Sequence, residues 1–174
     1  MAKVIEQRGL YFDEFEVGAV YKHAPGRTVT EADNVLFTTL TMNPQALHLD
    51  HAFAQAQPFS RPLMNSMLTL STLIGLSVGQ TTQGTLVAQL GLGEISFPHP
   101  VFHGDTLYGR SEVTAIRESS SRPRQRIVTF AITGENQHGD VVVRAQRTCL
   151  MWTAPAHAEA KAKAADAAGT GEPA

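Results

Sequence analysis

The spacing of hydrophobic residues along the chain changes once, near Gly84. Before it, residues 63–78 carry apolar side chains around more than half of a helical circumference. A helix that is apolar on most sides is typically buried, here inside a sheet. We therefore predict a long buried helix that stops at Gly79, since glycine favours helix ends. The apolar positions are Leu63, Met64, Met67, Leu68, Leu70, Leu73, Ile74, Leu76 and Val78.

Beyond Gly84 the apolar residues recur with a period of 2, which is typical of strands. Four segments show this alternation, and turn-forming residues separate them. They are residues 85–97, 106–116, 126–137 and 141–152. The connections are too short for helical crossovers, so consecutive strands should pair antiparallel. The pattern predicts an α+β domain in which an antiparallel sheet curls around one long helix.

Shorter elements precede the long helix. Residues 20–30 are strand-like, and Thr30 is placed to cap a helix, with Asp33 three residues further on. Asp50 can cap a second short helix over residues 51–57, which Pro58 ends. The apolar face of the first helix consists of Val35, Leu36, Phe37 and Leu40.

Composition adds limits rather than an activity. The 174 residues are 43% hydrophobic and 17% charged, which indicates a globular core, and the formal charge of −2 gives no basic field for nucleic acid or an anionic membrane. Cys149 is the single cysteine, so an internal disulfide or a cysteine metal cluster is excluded. The first residues lack a signal-peptide pattern, and no apolar run approaches the roughly 18 residues of a membrane span. We expect a cytoplasmic protein.

The end of the chain differs in composition from the rest. Residues 154–174 contain 10 alanines and lack aromatic residues and Val, Ile, Leu and Met. Such a segment has little side chain to bury, so we expect a disordered or weakly helical tail. The predicted domain therefore covers residues 1–153.

The chemically informative segment reads LTMNPQALHLD, from Leu40 to Asp50. It places His48 in a loop between two helices, five residues after Asn43. A histidine can exchange protons near neutral pH, whereas a carboxamide can orient a water molecule without deprotonating it. From the residues alone, the interpretation of His48 as a capping or hydrogen-bonded loop residue is favoured over a catalytic role.

Three motifs in order make the chain similar to the MaoC-like hot-dog hydratases. The family signature LTGDxNPIHxD aligns with residues 40–50, residues 62–68 resemble the entry to the central helix, and residues 100–107 resemble the turn PVxxGDTL. The resemblance spans residues 15–152. It implies a hot-dog fold, reversible addition of water to an unsaturated acyl-CoA, and a catalytic role for His48.

Departures from the signature suggest a particular branch of that family. Asn43 stands where the family has its catalytic aspartate, Gln45 where it has an asparagine, and Asn65-Ser66 where it has a histidine-glycine pair. The form TMNxQxLHxD resembles the mesaconyl-CoA and itaconyl-CoA hydratases, which act on short branched dicarboxylic acyl-CoAs. Loss of activity is the alternative.

A physical argument favours an acidic substrate. A carboxylate at position 43 would repel a carboxylate on the acyl group, and Asn43 removes that repulsion and can donate a hydrogen bond. Arg61 is the nearest basic candidate for the distal carboxylate, although it also fits a plain surface arginine. Backbone N–H groups near Asn65 and Ser66, at the start of the long helix, could hold the thioester oxygen, and these residues could equally cap the helix.

The resemblance further implies a homodimer or an assembly of dimers, with the acyl-CoA thioester as the small-molecule partner. No cofactor is expected because the thioester itself acidifies the α-carbon. A metal site is not expected either, because His48 has no cluster of aspartate or glutamate residues beside it. A thioesterase and a non-catalytic acyl-CoA-binding protein remain alternatives.

The remaining polar residues are given plainer interpretations. Asp105 should bond turn amides, His103 should be structural, and Cys149 should be a core residue. His23, His51, His99 and His138 are interpreted as surface residues. Four arginines around the 119–123 turn either meet coenzyme A phosphates or form a solvated hairpin tip. They are Arg117, Arg122, Arg124 and Arg126.

Overall fold

The computed structural model describes residues 2–122 and 124–169. The end of the predicted 119–123 turn and residues 170–174 of the predicted tail lie outside these ranges. The chain begins with a short 3-10 helix, Phe12–Glu14. The other elements follow in the order β1 (Val20–Thr28), α1 (Glu31–Leu40), α2 (Ala46–Leu49), α3 (His51–Gln55), α4 (Ser66–Thr81), β2 (Leu86–Ser96), β3 (Thr106–Glu118), β4 (Gln125–Glu135), β5 (Val141–Trp152) and α5 (Ala154–Gly169).

One antiparallel sheet with the strand order β1-β3-β4-β5-β2 forms the frame of the domain. The four strands predicted from the alternating pattern are confirmed. α4 packs against β1, β3 and β4, so the sheet wraps the helix as the pattern and the family resemblance implied. This is the hot-dog fold, and the predicted α+β class is correct.

The central helix α4 differs from its prediction in where it ends and in how much of its surface is buried. It continues past Gly79 to Thr81, and the Thr82 amide still donates to the Val78 carbonyl. The chain turns only at Gly84, where φ is +70°. One face is buried, with Leu70 and Leu73 below 2% exposure, while Met67 on another face is 50% exposed. The apolar circumference is therefore only partly covered within one chain.

Helix α1 has the opposite orientation to the one its apolar face would favour. Thr30 and Asp33 form the predicted capping box, but the buried residues are Asn34 and Thr38. The apolar face points outward, with Leu36 60% and Leu40 74% exposed. The polar residues face inward because they hydrogen-bond to neighbouring segments of the domain.

A disordered or weakly helical tail was expected for the alanine-rich segment, and over Ala154–Gly169 it forms helix α5, which agrees with the helical alternative. Alanine has the highest helix propensity, and the helix is also anchored. The His157 ring stacks on Trp152 with centroids 5.5 Å apart, and Arg124 pairs with Glu159. Cys149 is fully buried in the core, as predicted. No helix within the described residues has the length and hydrophobicity needed to cross a membrane.

Candidate active site

The loop between α1 and α2 is shaped by Asn43. Its Oδ1 accepts a hydrogen bond from the Gln45 backbone N–H at 3.0 Å, and its own N–H donates to the Thr38 carbonyl. Met42, just before it, has φ +54°, which turns the chain sharply. Asn43 is half-buried, whereas Gln45 is exposed. The turn directs the chain into α2, which carries His48.

His48 is anchored through one ring nitrogen. Its Nδ1 lies 2.9 Å from the carbonyl oxygen of Leu63. A carbonyl can only accept, so we assign the proton to Nδ1, which leaves Nε2 with a lone pair. Among the described residues none makes a hydrogen bond to His48 Nε2. The ring is thus held in the tautomer that a general base requires.

Asn34 is a buried residue of this site that the sequence analysis did not single out. Its Nδ2 donates to the His48 carbonyl at 3.0 Å and to the Leu63 carbonyl at 3.1 Å. Its Oδ1 accepts from the Asn65 N–H at 2.8 Å. The available signal was the pair Asn34 and Thr38, two polar residues four apart on one face of a helix.

The start of α4 is organised by Asn65. Its Oδ1 accepts from the Met67 N–H at 3.0 Å, its Nδ2 donates to Thr38 at 3.3 Å, and it is only 4% exposed. The capping role offered for Asn65 is therefore present. Ser66 is the first helical residue and its side chain is exposed. First-turn N–H groups of a helix lack intrahelical partners, so this end can stabilise a developing negative charge.

A cavity of about 230 Å³ adjoins this helix start. Its wall is mainly apolar, and Ser66, Thr69 and His99 are the residues in it with polar side chains. His99, interpreted as a plain surface residue, bonds through Nδ1 to the Val141 carbonyl and lines this cavity. The full lining is Phe59, Leu63, Met64, Ser66, Thr69, Phe97, Pro98, His99, Pro100, Val101 and Val142.

Arg61 lies beside this cavity rather than in its wall. Its guanidinium carbon is 3.6 Å from the centroid of the Phe102 ring, in a cation–π contact. Phe102 in turn meets Phe59, a wall residue, edge to face at 6.1 Å. The side chain is exposed and no hydrogen bond or ion pair to it is formed by a described residue. Asp105 bonds the Phe102 amide at 2.8 Å, as predicted for a turn residue.

The arginines around the 119–123 turn lie at the opposite end of the sheet from the cavity. Within one chain they are therefore too far away to contact a ligand bound in that cavity. β3 begins at Thr106, near the cavity, and ends at Glu118 after a rise of about 40 Å. Arg126 pairs there with Glu118 at 3.1 Å, and Arg124 pairs with Glu159. The hairpin-tip interpretation fits this placement.

His23 corrects another interpretation, because it is buried rather than on the surface. It is 6% exposed, with Nδ1 3.0 Å from Gln80 Oε1 and Nε2 2.9 Å from Ser111 Oγ. Burial lowers the pKa of His23, and the charge of Arg147 acts in the same direction, against the hydrogen bond to Gln80. No three metal-ligating side chains come together within residues 2–122 and 124–169.

The fold and the His48 loop together define a MaoC-like hot-dog protein. Residues 14–136 match the MaoC like domain, and the chain belongs to that family. It is 30% identical over 143 residues to a β-methylmalyl-CoA dehydratase from Chloroflexus aurantiacus, covering 82% of this chain and 40% of that protein. It is 39% identical over 110 residues to an (R)-specific enoyl-CoA hydratase from Aeromonas caviae, covering 60% and 81% respectively.

A solved structure shows the same architecture. A Mycobacterium tuberculosis protein described as having a double hot-dog fold superposes with a TM-score of 0.77 at 27% identity, covering 87% of this chain and 46% of that one. The chain thus spans about two fifths of the length of the dehydratase and less than half of the double hot-dog protein.

Proposed function

We propose that this chain catalyses the reversible addition of water to an α,β-unsaturated acyl-CoA thioester. The observation that carries the proposal is the Nδ1 bond of His48 to Leu63, which leaves Nε2 as a proton acceptor. Leu63 lies three residues before the start of α4, whose first-turn N–H groups lack intrahelical partners. A proton-transfer group and an oxyanion-stabilising end of a helix are the two elements that hydration needs.

In the proposed reaction His48 removes a proton from water while the hydroxyl adds to the β-carbon. The electrons of the double bond shift towards the thioester, and the enolate oxygen is held by N–H groups near Ser66. His48 then returns the proton to the α-carbon, so that one water is consumed and nothing else is required. Asn43 would orient the water or the substrate. The thioester itself acidifies the α-carbon, so the proposal includes no cofactor and no metal.

The proposed substrate is a short branched dicarboxylic acyl-CoA such as mesaconyl-CoA or itaconyl-CoA. The similarity to a relative named for β-methylmalyl-CoA supports this class, as does Asn43, which adds no negative charge to the loop. Gln45 and Asn65 are proposed to support substrate binding. Asn65 would act through the helix start, because its amide group already bonds Met67 and Thr38. Arg61 is proposed to meet the distal carboxylate at the cavity mouth.

We propose a homodimer or an assembly of dimers in the cytoplasm. β1 and β2 are the edge strands of the sheet, and unpaired edges are prone to associate. β2 exposes Leu90 and Ile95, which are 50% and 40% exposed. A second copy joining at an edge would cover such residues. Light scattering of the purified protein tests this directly.

One assay separates hydration from its two alternatives. The protein is incubated with mesaconyl-CoA, itaconyl-CoA and crotonyl-CoA while enoyl absorbance and free thiol are followed. Loss of absorbance without free thiol supports a hydratase, and release of thiol identifies a thioesterase. Binding without either change identifies a non-catalytic acyl-CoA-binding protein and refutes the proposed reaction.

A further inference from the structure

We infer that Asn34 is a positioning residue that sets the orientation of His48 relative to the start of α4, an inference that rests on the proposed function. The carboxamide is 3% exposed and cannot reach a substrate in the cavity as a first contact. All of its polar atoms are used inside the protein. Its partners are backbone groups of two separate segments, His48 on α2 and Leu63 and Asn65 just before α4.

The first part of the argument concerns the Leu63 carbonyl. This oxygen accepts from His48 Nδ1 at 2.9 Å and from Asn34 Nδ2 at 3.1 Å. Two donors use both lone pairs of a carbonyl oxygen, which fixes the plane of the peptide. The same Nδ2 also donates to the His48 carbonyl at 3.0 Å. The amide NH2 of Asn34 therefore holds both the Leu63 carbonyl, which accepts from the imidazole, and the backbone of His48 itself.

The second part concerns the other end of the same carboxamide. Asn34 Oδ1 accepts from the Asn65 N–H at 2.8 Å, and Asn65 is the N-cap of α4. The amide plane of Asn34 therefore links the proton-transfer histidine to the helix start that would hold the thioester oxygen. A displacement of about 1 Å between catalytic groups can reduce a rate by about 100-fold.

Thr38 lacks this bridging geometry, although it lies one turn further on the same face of α1. Its hydroxyl accepts a hydrogen bond from the Asn65 side chain at 3.3 Å, and within the described residues it forms no hydrogen bond to the His48 segment. The bridge between the His48 segment and the start of α4 thus depends on a side chain that has both an NH2 donor group and an acceptor oxygen. Asn34 provides both.

The test uses two variants and a matched control in the full chain. Asn34→Ala removes the whole bridge, and Asn34→Asp keeps the acceptor for Asn65 but loses the donors to His48 and Leu63. Val128→Ala is the control, since Val128 is fully buried on β4, where it pairs with Cys149, and is not among the residues that line the cavity at the helix start. Melting temperature, kcat, KM and the imidazole tautomer of His48, by nitrogen NMR, are measured for each.

We expect kcat to fall about 100-fold in both Asn34 variants, with KM within about threefold of the parent, because positioning acts on the transition state. The ring proton of His48 should reside on Nδ1 in the parent and be shared between the two nitrogens in both variants. Val128→Ala should lower the melting temperature while leaving kcat within about twofold and the tautomer unchanged.

The inference is overturned if either Asn34 variant keeps both the parental kcat and the Nδ1 tautomer. It is also overturned if Val128→Ala loses as much kcat as the Asn34 variants, since stability alone would then explain the effect. If the parent hydrates none of the three thioesters, the proposed function fails. The tautomer measurement then still decides whether Asn34 orients the ring.

Discussion

The Nδ1 atom of His48 lies 2.9 Å from the carbonyl oxygen of Leu63, a residue 15 positions further along the chain. This contact joins the loop after α1 to the segment that leads into α4. It assigns the imidazole proton and leaves Nε2 free to accept another. The candidate chemistry of the protein therefore depends on the backbone carbonyl of Leu63.

Replacement of His48 by alanine should reduce hydration by a factor of about 10² to 10⁴, the usual contribution of a general acid–base group. The measurement is the initial rate of enoyl absorbance loss with mesaconyl-CoA. His51→Ala is the matched control, because His51 lies on the next helix and pairs with exposed Glu31 at 2.5 Å. Unchanged hydration in His48→Ala would refute the mechanism.

Replacement of Asn43 by aspartate should lower activity on a dicarboxylic thioester and spare activity on crotonyl-CoA. An aspartate can still accept from the Gln45 N–H, so the turn is preserved. The added charge would repel the substrate carboxylate by about 1–4 kcal/mol at a separation near 4 Å. The ratio of kcat/KM for the two substrates is measured. A rise on the dicarboxylic substrate contradicts the proposed role of Asn43.

Arg61 should affect only substrates that carry a second carboxylate. Arg61→Met keeps an apolar stem against Phe102 but removes the charge, and we expect a loss of about 0.2–1 kcal/mol in binding such a substrate, because the guanidinium is exposed. The KM for crotonyl-CoA should not change, which makes it the internal control. Equal KM values for parent and variant on every thioester would show that Arg61 has no role in substrate binding.

Substitution of Gly134 by alanine should destabilise the domain. A Cβ there would lie 2.1 Å from Leu73 Cδ1, inside the packed contact between β4 and α4. Overpacking of this kind typically costs about 1–3 kcal/mol in the free energy of unfolding, measured by urea denaturation.

Two further variants test the cause of that loss. Gly93→Ala is the control, since its Cβ would meet only Gln146 Oε1 at 4.0 Å. In a double-mutant cycle, adding Leu73→Ala to Gly134→Ala should cost less than the sum of the single changes, because it removes the clash. Simple additivity would show that the two residues are not in conflict.

The buried His23 should make stability depend on pH. Its pKa is lowered by burial in the folded state, so the unfolded chain binds the proton first as pH falls below about 6.5. Its contribution to stability is therefore complete above that pH and decreases on acidification. The free energy of unfolding is compared at pH 7.5 and 5 for the parent and His23→Gln. An equal loss in both would exclude His23 as the cause.

Much of the fold could be predicted from local periodicity. The alternation after Gly84 located β2 to β5, because a strand with one buried face repeats every two residues whatever packs against it. The Asp105 turn and the Thr30 cap were also accessible, since both are contacts within three residues. The LTMNPQALHLD segment supplied His48 as a candidate through its resemblance to a family motif.

Long-range contacts account for what the pattern missed. Asn34 looks like an ordinary helical residue until His48, Leu63 and Asn65 are brought around it from 14 to 31 positions away. The apolar side of α1 looked like a core face, yet the hydrogen bonds of Asn34 and Thr38 turn it outward.

The sequence by itself determined the strands and the caps, because these follow from residue type and short spacing, and its resemblance to a family motif made His48 the candidate histidine. Only the tertiary structure decided which atom of His48 carries the proton and how the ring is tied to the start of α4. It also decided that His23 is buried between Gln80 and Ser111. Each of these depends on groups supplied by distant segments, and burial and hydrogen-bond partners exist only once those segments have packed together.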